Sequence, residues 1–183
     1  MGEVIAEKSL TASLFSRHGF TILTPPLHYA RPSNHAGRTS PVAAHKFHNP
    51  STMPATRGYT HVVETRGPSR TLYLAGQLGM TPDGKFAGGS GDFRAQATQA
   101  FENLKHALTA AGATFEHVVK VTVYFTDMAH LQIYFEVRDR FVNTKVPPAS
   151  TAVQISKLAR DGALFEIEAI AVVPESAQGG GSP

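Results

Sequence analysis

The stretch Leu164-Phe165-Glu166-Ile167-Glu168-Ala169-Ile170-Ala171-Val172-Val173 decides the fold of this 183-residue chain. Its side chains alternate between two faces, as those of a β-strand do. One face is wholly apolar and predicts a strand that covers a hydrophobic core. The other face sets Glu166 and Glu168 among aliphatic residues, which is unfavourable unless the carboxylates are paired or have a functional role. The two glutamates are therefore the first candidates for a functional site.

Working outward from this strand, the chain shows further periodic segments. Strand periodicity covers 59–66, 71–77, 118–125 and 148–155, and helical periodicity covers 92–111 and 127–142. Asp92 and Asp127 suit helix N-cap positions. Each clear strand has one strongly apolar face and one mixed face, which predicts an α+β fold with both helices packed on one side of a sheet. The mixed face is too apolar for solvent, so we expect oligomerisation to bury it.

The alternation also assigns individual side chains to faces. In the strand at 118–125, the predicted apolar face holds Val119, Val121, Val123 and Phe125. In the strand at 71–77 and just beyond it, the predicted shared face holds Leu72, Leu74 and Leu78. In the strand at 148–155, Ser150, Ala152 and Gln154 are predicted to face away from Val153 and Ile155.

Charge and composition divide the chain into three parts. Residues 1–52 hold five basic and two acidic residues and so carry the whole net charge of +3, whereas 53–183 hold 12 of each sign. With five prolines and no sustained period, 1–52 is predicted to be a disordered leader or a mis-assigned start before Met53. Residues 53–175 are the predicted domain and 176–183 a flexible tail. We expect a cytoplasmic protein, or a mitochondrial one if 1–52 is a transit peptide.

Several classes of function are disfavoured by composition and spacing. The chain has no cysteine, which excludes disulfides and a thiol nucleophile. No apolar run reaches the roughly 18 residues of a membrane span, and the neutral domain disfavours nucleic-acid binding. Its histidines lack metal-binding spacing, and the loop at 88–91 lacks the lysine of a phosphate-binding loop. We therefore expect no metal, no cofactor, no membrane and no nucleic-acid partner.

Short motifs along the domain carry a family resemblance. They are Gly76-Gln77, Asn103-Leu104, Ala110-Ala111-Gly112-Ala113, Val118-Val119-Lys120-Val121-Thr122-Val123, Asp127-Met128 and Pro148-Ala149. Together, over roughly residues 60–173, they resemble the Rid family, the reactive intermediate deaminases also called YjgF-like proteins. The resemblance implies a chorismate-mutase-like α+β fold and a homotrimer with ligand sites in clefts between subunits. It also implies hydrolysis of small imines and enamines without metal or cofactor.

The resemblance assigns roles to individual residues of the predicted site. Glu166 is implied to orient or activate water, and Tyr59 and Gly76 to line the site. Phe135, Ser150 and Thr151 complete the implied substrate-binding set. Family members have also been described as ribonucleases, which the neutral domain of this chain disfavours.

Two of these positions differ from the family pattern. Ser150 stands where the family has an arginine that holds the substrate carboxylate, and Phe135 stands where many deaminases have asparagine. A serine hydroxyl cannot supply the charged fork of a guanidinium. The sequence therefore predicts weak deamination of amino-acid-derived imines, unless Arg138 or Lys120 supplies the cation. The alternative is a trimer that binds a ligand or regulates a partner without turnover.

Overall fold

The computed structural model describes residues 44–175, and the remainder of the leader and the tail at 176–183 lie outside the described residues. Its elements are β1 (Ala44–His48), β2 (Val62–Arg66), β3 (Ser69–Leu78), α1 (Phe93–Ala110), β4 (Val118–Phe125), α2 (Leu131–Arg138), β5 (Ala149–Gln154) and β6 (Phe165–Pro174). All seven elements expected from periodicity are present, and the predicted α+β class is confirmed. The strand β1 was not expected.

A four-stranded mixed sheet forms the centre of the domain, in the order β3-β6-β4-β5. The strand β6 runs antiparallel to both β3 and β4, and β5 is parallel to β4. The helix α1 packs on β3 and β6, and α2 packs against α1. The helices thus cover one face of the sheet, which we call the helix side, and leave the other as the open face.

The hydrophobic core lies between this sheet and the helices. The apolar face of β6 is buried as expected, with Phe165, Ile167 and Ala171 fully buried. The ring of Phe101 from α1 stacks on Phe165 with their centroids 6.2 Å apart. Truncating such a buried aromatic residue to alanine typically costs about 3–5 kcal/mol. The opening stretch of sequence is therefore the central strand of the fold.

The leader boundary predicted at residue 52 was wrong. Residues Ala44–His48 form β1, which pairs antiparallel with β2 from Ala44 opposite Arg66 to His48 opposite Val62. Across the pair, His48 Nε2 lies 2.9 Å from Glu64 Oε2. A five-residue strand gives too short an alternation to stand out beside a proline-rich segment. The domain therefore begins no later than residue 44.

Two β-bulges reverse faces that simple alternation had assigned. The register of β4 against β6 shifts between Val118 and Lys120, so Val118 is buried while Val119 is half-buried. The register of β3 against β6 shifts between Leu74 and Gln77, which sets Leu78 opposite Glu166. A bulge adds one residue to one strand and moves the following side chains to the other face.

The helix termini match their predicted caps, although the second helix is shorter than expected. The Asp92 carboxylate accepts a hydrogen bond from Ala95 N at 2.9 Å and begins α1. The Asp127 carboxylate accepts from Ala129 N at 2.8 Å, but it caps a 3-10 turn at Met128–His130 rather than α2 itself. The predicted helix at 127–142 is therefore a turn followed by the two-turn helix α2.

A buried amide fixes the chain where it enters β6. Gln96 on α1 is fully buried, and its Nε2 donates to Gly89 O and Gly162 O at 3.0 Å each. Its Oε1 accepts from Leu164 N at 2.9 Å. Each polar atom of this side chain has a partner, as a buried amide requires.

Among residues 44–175, no helix is both long enough and apolar enough to cross a membrane.

Candidate functional site

The candidate site residues and the side chains around them form two clusters, and Tyr59 lies beside the second. The open-face cluster comprises Gly76, Lys120, Tyr124, Thr151, Glu166 and Glu168. The helix-side cluster comprises Gly58, Tyr134, Phe135, Arg138 and Ser150.

Gly76 and Glu166 meet at the bulge of β3. A Cβ atom added to Gly76 would overlap the Glu166 carboxylate and lie 2.8 Å from its Cδ. Only glycine therefore lets the backbone approach the carboxylate this closely. Next to the bulge, Asn103 Nδ2 donates to Leu78 O at 3.0 Å and to Met80 O at 2.9 Å. The helix α1 thus holds the end of β3 in place beside the glutamate.

The surroundings of Glu166 favour its protonated form. Burial raises the pKa of Glu166, and the neighbouring Glu168 carboxylate raises it further. Glu168 has a partner in Tyr124, whose Oη donates to Glu168 Oε1 at 3.2 Å. Burial, and then this hydrogen bond, raise the pKa of Tyr124. Glu166 is therefore the carboxylate whose environment suits acid–base exchange at milder pH than an ordinary glutamate.

Lys120 and Thr151 form the remaining part of the open-face cluster. Lys120 Nζ donates to Thr151 Oγ1 at 2.9 Å and to Val121 O at 2.6 Å. Burial lowers the pKa of Lys120, and the charge of Glu168 opposes that shift. Lys120 and Glu168 also line a cleft of ≈ 200 Å³ on the open face, together with Tyr73 and Ile170.

Ser150 lies on the opposite side of the sheet from Glu166. It pairs with Val121, whose side chain is buried in the core, and it lines a small, partly open cavity of ≈ 10 Å³. Gly58, Tyr134 and Arg138 line the same cavity. This confirms the predicted face of Ser150 and shows that Arg138 is the cation beside it.

Arg138 is a buried residue at the end of α2. Its Nε and Nη2 donate to Asp139 Oδ1 at 2.9 and 2.5 Å, and its Nη1 donates to Gly58 O at 2.9 Å. Its guanidinium carbon lies 4.8 Å from the centroid of the Phe135 ring, a cation–π geometry. Gly58 has φ +75, and a Cβ there would lie 2.8 Å from the guanidinium carbon. Gly58 is therefore required both by its backbone conformation and by the approach of Arg138.

Tyr59 follows Gly58 and is half-buried. Its ring makes an edge contact with His61, with centroids 5.3 Å apart. The next residue, Thr60, fixes the segment, since its Oγ1 donates to Pro147 O at 2.6 Å and its N to Pro148 O at 3.1 Å. These contacts hold the segment of Tyr59 against the chain that leads to Ser150.

A single chain does not bring Ser150 and Glu166 together. Ser150 pairs with Val121 and Glu166 with Tyr124, three residues further along β4, or about 10 Å. The two side chains also lie on opposite faces of the sheet. The structure therefore joins Gly76 with Glu166, and separately joins Ser150 with the segment of Tyr59 and with α2.

Sequence reasoning missed Tyr134 and Gly58 as members of the site. A signal was available for Tyr134, because residues i and i+4 share a helix face and Arg138 follows it by four. For Gly58 the sequence offers only a weak indication of a site residue, a glycine before an aromatic residue. Residues 44–175 contain no cluster of three or more histidine or acidic side chains placed to hold a metal ion.

Comparison with known proteins decides the family. The profile described as Endoribonuclease L-PSP matches residues 50–173, which is more than half of the chain. The chain belongs to this family. The family includes the Rid and YjgF-like proteins, so the resemblance noted from short motifs is confirmed.

Relatives of this Rid family member carry different names. Protein DfrA of Myxococcus xanthus is 37% identical over 131 residues, which cover 72% of this chain and 97% of that protein. The human 2-iminobutanoate/2-iminopropanoate deaminase is 36% identical over 104 residues, covering 56% and 73% of the two chains. The crystal structure of the Rid family protein YyfB from Yersinia pestis, described as of unknown function, matches with a TM-score of 0.62 at 33% identity. It covers 70% of this chain and 98% of that one.

Proposed function

We propose that this Rid family protein hydrolyses a small imine, enamine or related electrophile without a cofactor, in a cleft between the subunits of a homotrimer. Glu166 holds and activates the water. The observation that carries the proposal is the apposition of the Glu166 carboxylate and the glycine bulge at Gly76. Relatives named as imine deaminases support the same reaction class.

The chemistry follows from a carboxylate with a raised pKa. Glu166 takes one proton from water as the water oxygen attacks the carbon of the protonated imine, which gives a neutral carbinolamine. Glu166 then returns that proton to the nitrogen. The C–N bond breaks as the carbinolamine hydroxyl gives its own proton to Glu166, and a carbonyl compound and ammonia leave. A base whose pKa is shifted toward the working pH performs these transfers better than an ordinary glutamate.

The separation of the two clusters supports assembly from more than one copy. Tyr59, Phe135 and Ser150 of one copy would wall one side of the cleft, and Thr151 and Glu166 of a neighbouring copy would wall the other. The open face also leaves Tyr73 81% exposed, which is unusual for a large aromatic side chain. Light scattering should give the trimer mass at micromolar concentration, and a monomer mass would contradict the proposal.

A trimer that binds a ligand or regulates a partner without turnover is the second candidate. Ser150 favours it, because β5 presents no guanidinium in the cavity.

The experiment that separates the two candidates measures imine decay. An amino-acid oxidase generates 2-iminobutanoate in the presence of the protein, of its Glu166→Gln variant, or of neither. We expect faster decay with the protein, and the uncatalysed rate with Glu166→Gln at unchanged assembly. Glu116→Gln, at an exposed position outside both clusters, is the control and should keep full activity. Equal decay with and without the protein, over a panel of imines, would favour the binding function.

A further inference from the structure

Lys120 lies in the cleft on the open face, at a distance from Glu166. In the register of β4 against β6 it is opposite Ile170, which lies four residues beyond Glu166 along β6, or about 13 Å. The cleft is also lined by Tyr73 of β3 and Thr122 of β4. Its volume of ≈ 200 Å³ is below the range of about 300–1,000 Å³ that is usual for drug-sized ligands, so it suits a small molecule.

The hydrogen bonds of the Lys120 amine match its neutral form. Nζ has two acceptors among the described residues, Val121 O at 2.6 Å and Thr151 Oγ1 at 2.9 Å. An ammonium has three N–H donors, whereas a neutral amine has two and a lone pair. The two acceptors use both N–H groups of the neutral amine, so its lone pair is left without a partner. The amine is therefore held in place in a form that can attack an electrophile.

The surroundings of the amine do not fix its positive charge. Within residues 44–175 Lys120 forms no salt bridge, whereas the exposed Lys85 and Lys157 each pair with an aspartate. Burial lowers the pKa of Lys120, against the opposing charge of Glu168. Glu168 and Tyr73 are the titratable side chains that line the cleft with it. A desolvated lysine is a common amine nucleophile in enzymes.

We propose that Lys120 is a nucleophile that condenses with a small uncharged aldehyde in this cleft and forms an imine on the protein. The lone pair of Nζ forms the C–N bond as the carbonyl π electrons move to oxygen. Glu168 carries the two nitrogen protons in turn to that oxygen, which leaves as water as the C=N bond forms. An uncharged aldehyde suits the site because Ile170 and the ring of Tyr73 line it, and because Glu168 repels an anion. The reaction does not use Glu166.

Reductive trapping in the full-length protein tests this inference. Isobutyraldehyde is added at neutral pH with cyanoborohydride, which reduces an imine to a stable amine, and peptide mass mapping identifies each lysine that gains a butyl group. Lys145 is the internal reference, because it is exposed. We expect at least about threefold more label on Lys120 than on Lys145, since a larger share of a desolvated amine is neutral.

Three comparisons sharpen the test. In a pH series, the label on Lys120 should appear at lower pH than the label on Lys145. Lys120→Arg keeps the positive charge but has no amine nucleophile, so it should lose the label in the cleft and keep the label on Lys145. Glyoxylate, a negatively charged aldehyde, should label Lys120 at least about threefold less than isobutyraldehyde does, relative to Lys145.

Each contrary result overturns the inference. The protein is labelled in its native assembly, so a subunit contact that closes the cleft would leave Lys120 without label. Equal labelling of Lys120 and Lys145, the same pH dependence for both, or stronger labelling of Lys120 by glyoxylate would also refute it. Imine hydrolysis is measured separately, and its absence would leave the labelling result unchanged.

Discussion

The two faces of the sheet carry clusters of opposite character. The open-face cluster is acidic and partly exposed, and it centres on Glu166, whose surroundings disfavour its charge. The helix-side cluster is basic and more deeply buried, and it centres on Arg138, whose charge is paired with Asp139. The sheet itself lies between the two carboxylates and the guanidinium. The comparison teaches that each half of the candidate site folds within one chain, whereas a site that uses both halves needs a second copy.

The largest effect is expected from returning the family arginine to β5. Ser150→Arg would place a second guanidinium in a cavity of ≈ 10 Å³ beside Arg138. Overpacking and an unpaired buried charge should cost about 3–5 kcal/mol of unfolding free energy. Denaturant titration measures this loss. The double variant Arg138→Ser with Ser150→Arg should recover most of it, and failure to recover would show that the two positions do not share one space.

A single substitution on the open face tests the close approach of Gly76 to Glu166. Gly76→Ala would push a methyl group into the Glu166 carboxylate, so we expect hydrolysis to fall at least about tenfold and stability by about 1–3 kcal/mol. Gly91→Ala is the matched control, because nothing lies within 4 Å of the added Cβ. Equal hydrolysis by the two variants would contradict this prediction.

Removing the N-terminal residues, including β1, tests the helix-side cluster and not the open-face cluster. A chain that begins at Met53 lacks β1, and with it the half-buried Phe47, so we expect a loss of about 1–2 kcal/mol, the scale of burying part of one large apolar side chain. The loss should loosen the segment at 58–60 that covers Arg138, and hydrogen exchange at Thr60 N reports it. A chain that begins at Arg38 retains β1 and should melt within a few degrees of the full-length protein.

The smallest effect is a shift in pH dependence. Since burial and Glu168 raise the pKa of Glu166, hydrolysis should fall in acid through a pKa above that of an ordinary glutamate. Glu168→Gln removes the second cause, so this acid limb should move to lower pH. The same raised pKa favours the folded state below the unfolded pKa, an advantage lost as pH rises through the folded value. Glu166→Gln should therefore flatten the dependence of stability on pH, which thermal melts at several pH values can follow.

Sequence alone predicted the regular secondary structure of this molecule. Alternation gave the faces of β6, and N-cap chemistry gave the starts of α1 and of the turn before α2. It failed at Val119 and Leu78, because one inserted residue reverses a period of two and leaves no trace in composition. Within the candidate site, motif resemblance predicted Gly76 and Glu166. The sequence offered Arg138 only as one of two candidate cations, with Lys120. It could not show that Arg138 and Tyr134 both lie beside Ser150, since that contact joins α2 to β5 through the tertiary packing.

The approach of Arg138 to Gly58 couples two positions that are 80 residues apart. An alanine at 58 meets both an unfavourable backbone conformation and the guanidinium, whereas in an Arg138→Gln background only the backbone cost of roughly 1 kcal/mol should remain. Mutations at the two positions should therefore be strongly epistatic. Among homologous sequences, arginine at 138 should occur together with glycine at 58, while glycine can persist there after the arginine is lost. The order of evolutionary change is then constrained: a side chain can appear at 58 only after the guanidinium has gone.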